Sequence, residues 1–265
     1  MCENERIIVS MTSYPKRIGN VAKAMYFLLE KQTLKPDEIH IWLAEPEFPN
    51  REQDLPEDLQ LMLEVPEVFL HWVPKNTYCH KRHEYFNIAK ENDCIFIVDD
   101  DCLYATNLIE EVMKWHEKYP SSVISYNVAS LHKYQGKHIL YPPSPVGGPY
   151  VNVGRINGNS MFPYKATPKA IYEKGYLETR DKCTPICDES WITPWLVYFD
   201  VPIIWLKFGW GVQLNPNIDM FNGLAPMTHQ REANGLERRD NWLANVLDAF
   251  PKIRDKYENL FGYGK

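Results

Sequence analysis

Short apolar runs alternate with helical stripes through the first half of the chain. Ile7-Ile8-Val9, within Arg6 to Met11, reads as a strand. After a polar loop, Thr12 to Arg17, the positions Ile18, Val21, Ala22, Met25, Leu28, Leu29 and Gln32 recur at helical spacing. Pro36-Asp37 marks a turn, and Ile39-His40-Ile41-Trp42-Leu43, within Glu38 to Ala44, a second strand. Strand, helix and strand over short connections predict a parallel, right-handed βαβ unit. Pro56-Glu57-Asp58 opens a short helix, because proline suits the first turn and acids suit its positive end. Val68 to Trp72 predicts a third strand. A helix from about His80 to Lys90 leads to Ile95-Phe96-Ile97-Val98, a run apolar enough to be a strand buried on both faces. Leu108, Ile109, Val112, Met113 and His116 mark a further helix capped by Asn107, and Val123 to Tyr126 resumes strand character. This alternation predicts an α/β protein with a mostly parallel central sheet flanked by helices.

The texture changes after about residue 126. Pro142-Pro143-Ser144-Pro145-Val146-Gly147-Gly148-Pro149 excludes helix and does not suit a central strand. Gly154 to Pro163 is rich in glycine and asparagine, and both stretches read as long functional loops added to the sheet. Asp188 to Tyr198 predicts a helix interrupted near Pro194, and Val201 to Leu206 a strand. Two helical stripes close the chain, Trp242, Leu243, Val246, Leu247 and Phe250, then Ile253, Tyr257, Leu260 and Phe261. The expected organisation is one domain over 1–265, with a regular half to about 126 and an irregular half after it.

Composition narrows the function classes. At 265 residues and 45% hydrophobic, the chain can bury a sizeable core. A net charge of −6 disfavours binding nucleic acid by bulk charge. Met1 to Arg6 carries acids and precedes too short an apolar stretch for a signal peptide, and no segment approaches the roughly 20 apolar residues of a membrane span. The expectation is a soluble cytoplasmic protein, with room for peripheral contact at the inner face of a membrane. The six cysteines show no CxxC spacing and read as reduced thiols, although Cys183-Thr184-Pro185-Ile186-Cys187 has the spacing of a half metal site or a disulfide loop.

The chemistry concentrates at Asp99-Asp100-Asp101, directly after the apolar run. Three adjacent anions repel one another, and a bound cation relieves that repulsion. In an open α/β sheet, the carboxyl end of a strand is where ligands bind. On strand-like backbone Asp99 and Asp101 point the same way, so both can face one hard cation, Mg²⁺ or Mn²⁺, shared with substrate phosphates. The bland alternative is an acidic turn before the next helix.

Ile95 to Tyr104, with its three aspartates, resembles the metal-binding segment of GT-A type nucleotide-sugar glycosyltransferases. Ile8-Val9-Ser10-Met11-Thr12-Ser13-Tyr14-Pro15-Lys16-Arg17-Ile18 resembles the opening of a bacterial branch associated with surface polysaccharides, and Gln32 to Ile39 resembles that branch's turn into the second strand. The resemblance implies a GT-A fold, a Rossmann-like sheet joined to a less regular acceptor-side half. It implies a metal-dependent, inverting transfer of a sugar from a nucleotide diphosphate, a UDP-sugar, to a glycan or lipid-linked glycan in surface polysaccharide or lipopolysaccharide synthesis.

The resemblance also assigns residues. Thr12, Ser13 and Tyr14 would meet the base and Arg17 a phosphate. Lys81, in the basic cluster His80-Lys81-Arg82-His83, and Tyr85 would lie near the nucleotide. Asp99 and Asp101 would hold Mn²⁺ or Mg²⁺, with Asp100 serving the donor sugar or its own loop. Gly158 and Asn159 match a glycine-rich loop that approaches the sugar. Asp188-Glu189-Ser190-Trp191 resembles the segment supplying the catalytic base: Glu189 aligns with the base, Asp188 is the alternative, and Trp191 would stack on a sugar. His229, in Thr228-His229-Gln230-Arg231, would complete the metal shell. On residue chemistry alone, the basic cluster is equally a solvated face, an isolated tryptophan such as Trp191 is more often core, and the two acids can be no more than helix-dipole partners. A nucleotidyltransferase is the rival enzyme, but Thr12 to Ile18 lacks the glycine-rich loop expected of one. A carbohydrate-binding protein on a degenerate transferase fold is the non-enzymatic rival.

Overall fold

The structure is a computed structural model. It describes residues 5–134, 137–141, 148–151, 153–156, 158–206, 211–214 and 235–262. In chain order the elements are β1 (Arg6–Thr12), α1 (Val21–Leu29), β2 (Glu38–Ala44), α2 (Glu57–Met62), β3 (Val68–Val73), β4 (Asp93–Ile97), β5 (Cys102–Tyr104), α3 (Leu108–Lys118) and β6 (Val123–Ser125). They continue with β7 (Val128–Tyr134), β8 (Lys137–Tyr141), β9 (Pro149–Tyr150), β10 (Val153–Ile156), β11 (Ser160–Pro163), α4 (Lys174–Cys183) and α5 (Asp188–Tyr198). The last are β12 (Ile203–Trp205), β13 (Val212–Leu214), α6 (Gly235–Ala249) and α7 (Pro251–Phe261).

The central sheet runs β3-β2-β1-β4-β11-β6-β12-β9. Its first four strands are mutually parallel, as the βαβ pattern predicts. Strand β11 then enters antiparallel between β4 and β6. Alternation along the strands divides the core into two layers. Ile7, Val9 and Met11 of β1 and Cys94 and Phe96 of β4 face α1, α2 and α3. Ile8, Ile95 and Ile97 face the opposite layer, built on α5, α6 and α7. Strand β4 is buried along its whole length, as its unbroken apolar run requires.

Four expectations are corrected. Gly154 to Pro163 is not a loop: it holds β10 and the central strand β11, because Ser160-Met161-Phe162-Pro163 is buried throughout and pairs with β4 on one side. The segment from about His80 to Lys90 is not an α-helix but a run of 3-10 turns over Tyr78–Asn87, with buried side chains at His80 to His83. Pro194 lies inside an unbroken α5 and interrupts nothing, although it removes one N–H from the helix ladder. Asn107 occupies the N-cap of α3 but makes no side-chain cap bond. The run 142–147 and His229 lie outside the described residues. Among those described, no disulfide joins Cys183 and Cys187, and no helix is long and apolar enough to cross a membrane.

Candidate functional site

The parallel pairing of β1 to β4 brings their carboxyl ends to one edge, where the loops after Thr12 and Ile97 meet. Asp99 to Asp101 lie in a turn between β4 and β5 rather than on strand backbone, so it is the turn that gathers the side chains. Donor atoms of Asp99, Asp101 and Cys102 all lie within 4.8 Å of one another.

The adjacent loops fix this turn. Ser13 Oγ donates to Asp100 Oδ2 at 2.6 Å, and Arg17 is bound to Asp100 and, at 2.9 Å, to Asp101. Asp100 therefore serves the loop after β1. Burial pushes its carboxyl up to about 7, against the opposing pull of Arg17. Asp101 is also raised, by burial and then by Asp99. Burial works against the Arg17 charge, but the facing aspartates hold it above its ordinary range. Thr12 Oγ1 donates to the Trp42 carbonyl at 2.7 Å, tying β1 to β2. Tyr14 accepts the Arg17 backbone N–H through its carbonyl, which shapes the loop.

Register explains the other wall. Ser160 pairs with Ile97, so Gly158 and Asn159, just before β11, reach the same edge. Asn159, at φ 62°, donates from Nδ2 to Asp99 Oδ2 at 2.7 Å. A Cβ at Gly158 would stand 2.5 Å from Asp99 Oδ2, so this approach requires glycine. The Tyr104 hydroxyl accepts the Asp99 N–H at 3.0 Å. Asp99 is thus held from its backbone and from one carboxylate oxygen.

Its other carboxylate oxygen receives Arg82, which the sequence reading left undistinguished in a basic cluster. The Arg82 guanidinium binds Asp99 through Nη1 and Asp188 through Nε, the latter at 2.8 Å. His83 Nε2 is 2.9 Å from the same Asp188 oxygen. One buried cation therefore joins the aspartate turn to the start of α5. The backbone holds it there: Ser10 Oγ donates to the Arg82 carbonyl at 2.6 Å, and Trp42 Nε1 donates to Ser10 Oγ at 3.0 Å. The sequence carries a signal, since Tyr85-Phe86, which a solvated face would not bury, follows the four basic residues after only Glu84.

Several expected contacts are otherwise engaged. Asp188 is 2% exposed. Burial opposes its charge, but Arg82 and His83 outweigh that and hold the carboxyl well below its usual range, which makes it a poor proton acceptor. Glu189, the next residue, is half-buried and is the remaining candidate base. Trp191 is buried, donates to the Ile171 carbonyl at 2.7 Å and packs edge-on against Trp195 and Phe250, so it is core rather than a sugar platform. Tyr85 is buried at the opposite edge, donating to Asp93 at 2.8 Å, away from any nucleotide at the aspartates. Lys81 is buried and paired with Glu47 at 3.0 Å and Asn76 at 2.9 Å, which ties together the loops after β2 and β3. The basic cluster is neither a solvated face nor an open phosphate site.

The charge balance favours a cation. Asp99, Asp100, Asp101 and Asp188 are linked through two guanidiniums, Arg17 and Arg82, while burial favours the neutral form of His83 despite Asp188. With all four carboxylates ionised two negative charges remain, an excess that either protonation of the raised Asp100 and Asp101 or a bound cation relieves. The oxygens of Asp99 and Asp101 suit a hard divalent ion. Burial, then Asp99 and Asp101, raise the Cys102 thiol, and its soft sulfur matches a hard ion less well than the two carboxylates do.

No protein-family model matches the chain, and no curated protein sequence is similar to it. Solved structures do resemble it in fold. A crystal structure of Staphylococcus aureus TarS 1-349 in complex with UDP-GlcNAc superposes with a TM-score of 0.51 at 12% identity, covering 97% of this chain and 84% of that one. A crystal structure of GalNAc-T7 with UDP, GalNAc and Mn²⁺ gives 0.53 at 10% identity, over 78% of this chain and 43% of that one. A parallel half carrying an acidic turn at its carboxyl edge, continued by mixed strands and C-terminal helices, is a GT-A fold.

Proposed function

We propose that the protein is a metal-dependent glycosyltransferase that moves a sugar from a nucleoside diphosphate donor, a UDP-sugar, to a hydroxyl of a glycan acceptor. The observation that carries this reading is the convergence of Asp99 and Asp101 at the carboxyl edge, within a group holding two more carboxylates than guanidiniums. The fold supports it, since the similar TarS and GalNAc-T7 structures contain UDP-GlcNAc, or UDP with Mn²⁺. The sequence resemblance of Ile8 to Ile18 supports a surface polysaccharide or lipopolysaccharide acceptor.

In this reading Asp99 and Asp101 hold Mn²⁺ or Mg²⁺, which when bound neutralises charge on the departing diphosphate. Asn159 and the close approach of Gly158 fix the Asp99 carboxylate. Ser13 and Arg17 hold Asp100 and keep the turn closed. Arg82 and Asp188 orient the start of α5 and leave Glu189 to act as base. The acceptor oxygen attacks the anomeric carbon, the bond to the diphosphate oxygen breaks, and Glu189 takes the hydroxyl proton, giving inversion. A screen of nucleotide sugars for Mn²⁺-dependent hydrolysis tests this without a known acceptor. Release of nucleoside diphosphate from one donor, abolished by chelation, is the expected result. No hydrolysis of any donor, together with no nucleotide binding, would reject it.

A further inference from the structure

At the opposite edge of the same sheet, three donors of different chemistry meet. Glu5 immediately precedes β1, Cys94 lies on β4 and His116 in the last turn of α3. Cys94 belongs to the alternating set of β4 that faces α3, which is why the strand and helix bring these side chains together. The Cys94 sulfur, a ring nitrogen of His116 and a carboxylate oxygen of Glu5 all lie within 4.8 Å of one another. Cys94 and His116 are 2% and 3% exposed, so this is not a patch of surface acids.

Hydrogen bonding leaves the cluster incomplete. His116 Nε2 and Glu5 Oε1 are 3.0 Å apart. The other atom of each group, His116 Nδ1 and Glu5 Oε2, is buried without a hydrogen-bond partner. Buried polar atoms normally have a partner, and two such atoms in one three-residue cluster call for one.

We propose that Glu5, Cys94 and His116 form a binding site for a zinc-class divalent cation, separate from the aspartate turn. Sulfur, nitrogen and oxygen donors together match the borderline-soft character of Zn²⁺, whereas the carboxylates of Asp99 and Asp101 match a hard ion. Charge balances: the Cys94 thiol loses its proton to solvent as the sulfur–metal bond forms, and thiolate plus carboxylate neutralise the ion. Three protein donors leave a fourth position for water. The bound ion would fasten the C-terminal turn of α3 to the amino ends of β1 and β4, and its role is structural.

Co²⁺ titration of the metal-free full chain tests the site, because a thiolate ligand produces a near-ultraviolet charge-transfer band that carboxylates alone do not. One equivalent should raise the band, and Zn²⁺ should displace it. Cys94→Ser should abolish the band and weaken Zn²⁺ binding by more than the about 10- to 100-fold that outer partners of a metal cost. Cys102→Ser should leave both intact. If Cys94→Ser does not fold, Glu5→Gln, at a half-buried position, should weaken Zn²⁺ binding at least about 10-fold with the band retained. The proposal is overturned if the wild-type chain shows no band, if the band survives in Cys94→Ser, or if Glu5→Gln binds Zn²⁺ unchanged.

Discussion

The two ends of β4 both carry aspartate, and they treat it in opposite ways. At the amino end, Asp93 is fully answered: Arg6 binds both of its oxygens at 2.9 Å, Tyr85 donates at 2.8 Å, and the Lys90 N–H donates at 2.8 Å. At the carboxyl end, Asp99, Asp100 and Asp101 share Arg17 and Arg82, and Arg82 is also claimed by Asp188. The same side chain on the same strand is therefore structural where cations and donors match it, and poised for a ligand where they fall short. Arg6 also binds Glu38, so its guanidinium is shared too; what separates the two ends is that three carboxylates are adjacent at one, whereas at the other uncharged donors, the Tyr85 hydroxyl and the Lys90 N–H, complete Asp93.

The largest effect that would sharpen this contrast is chemical. Glu189→Gln should lower turnover about 10²- to 10⁴-fold, the range for loss of a positioned base, while leaving donor binding unchanged. Undiminished turnover in single-turnover assays would remove Glu189 from the reaction. Next is Arg82→Met. It leaves Asp188 buried without its principal counter-charge, and should cost about 3–5 kcal/mol in urea unfolding. A loss below about 1 kcal/mol would mean that the bridge between the two carboxylates is energetically idle.

Asp93→Asn probes the other end. Breaking the charge on a satisfied, buried group should cost about 1–3 kcal/mol of stability, while nucleotide binding, read by calorimetry, stays as in the wild type. A matching loss of nucleotide affinity would erase the distinction between the two edges. The smallest effect is a pH dependence. Burial, and then Arg180, lower His80 to about 3, and its Nε2 lies 2.7 Å from the Thr184 carbonyl. The unfolded chain thus binds a proton below about pH 6.5 that the folded chain refuses. Stability from this neutral histidine is complete above that pH and falls as pH drops toward 3. His80→Gln should flatten the acid limb of a stability profile by about one proton, and an unchanged slope would show that His80 is not the group responsible.

The sequence carried the first half of the fold because each element there has its own period. Strands β1, β2 and β3 and helix α3 end within a residue or two of where the alternation ends. It misread Gly154 to Pro163 because glycine and asparagine signal turns locally, whereas β11 is held in the sheet by neighbours far away in the chain. The aspartate turn was legible, since three adjacent acids at the end of a buried strand repel one another and do not belong in a core. The partners were not. Arg82 lies 17 residues from Asp99 and 106 from Asp188, and no spacing rule links them. Trp191 and Tyr85 carry the residue types of a ligand site, yet the second core layer absorbs both, Trp191 within its aromatic cluster and Tyr85 edge-on to His40.

The central claim is that Asp99 and Asp101 bind a divalent cation together with a nucleoside diphosphate. Calorimetric titration of UDP into the wild-type chain and Asp101→Ala, each with Mn²⁺ and with chelator, tests it most directly. The account predicts binding by the wild type only when Mn²⁺ is present, weakened about 100-fold or more by Asp101→Ala. Equal binding with chelator, or Mn²⁺-dependent binding unchanged in Asp101→Ala, would contradict it.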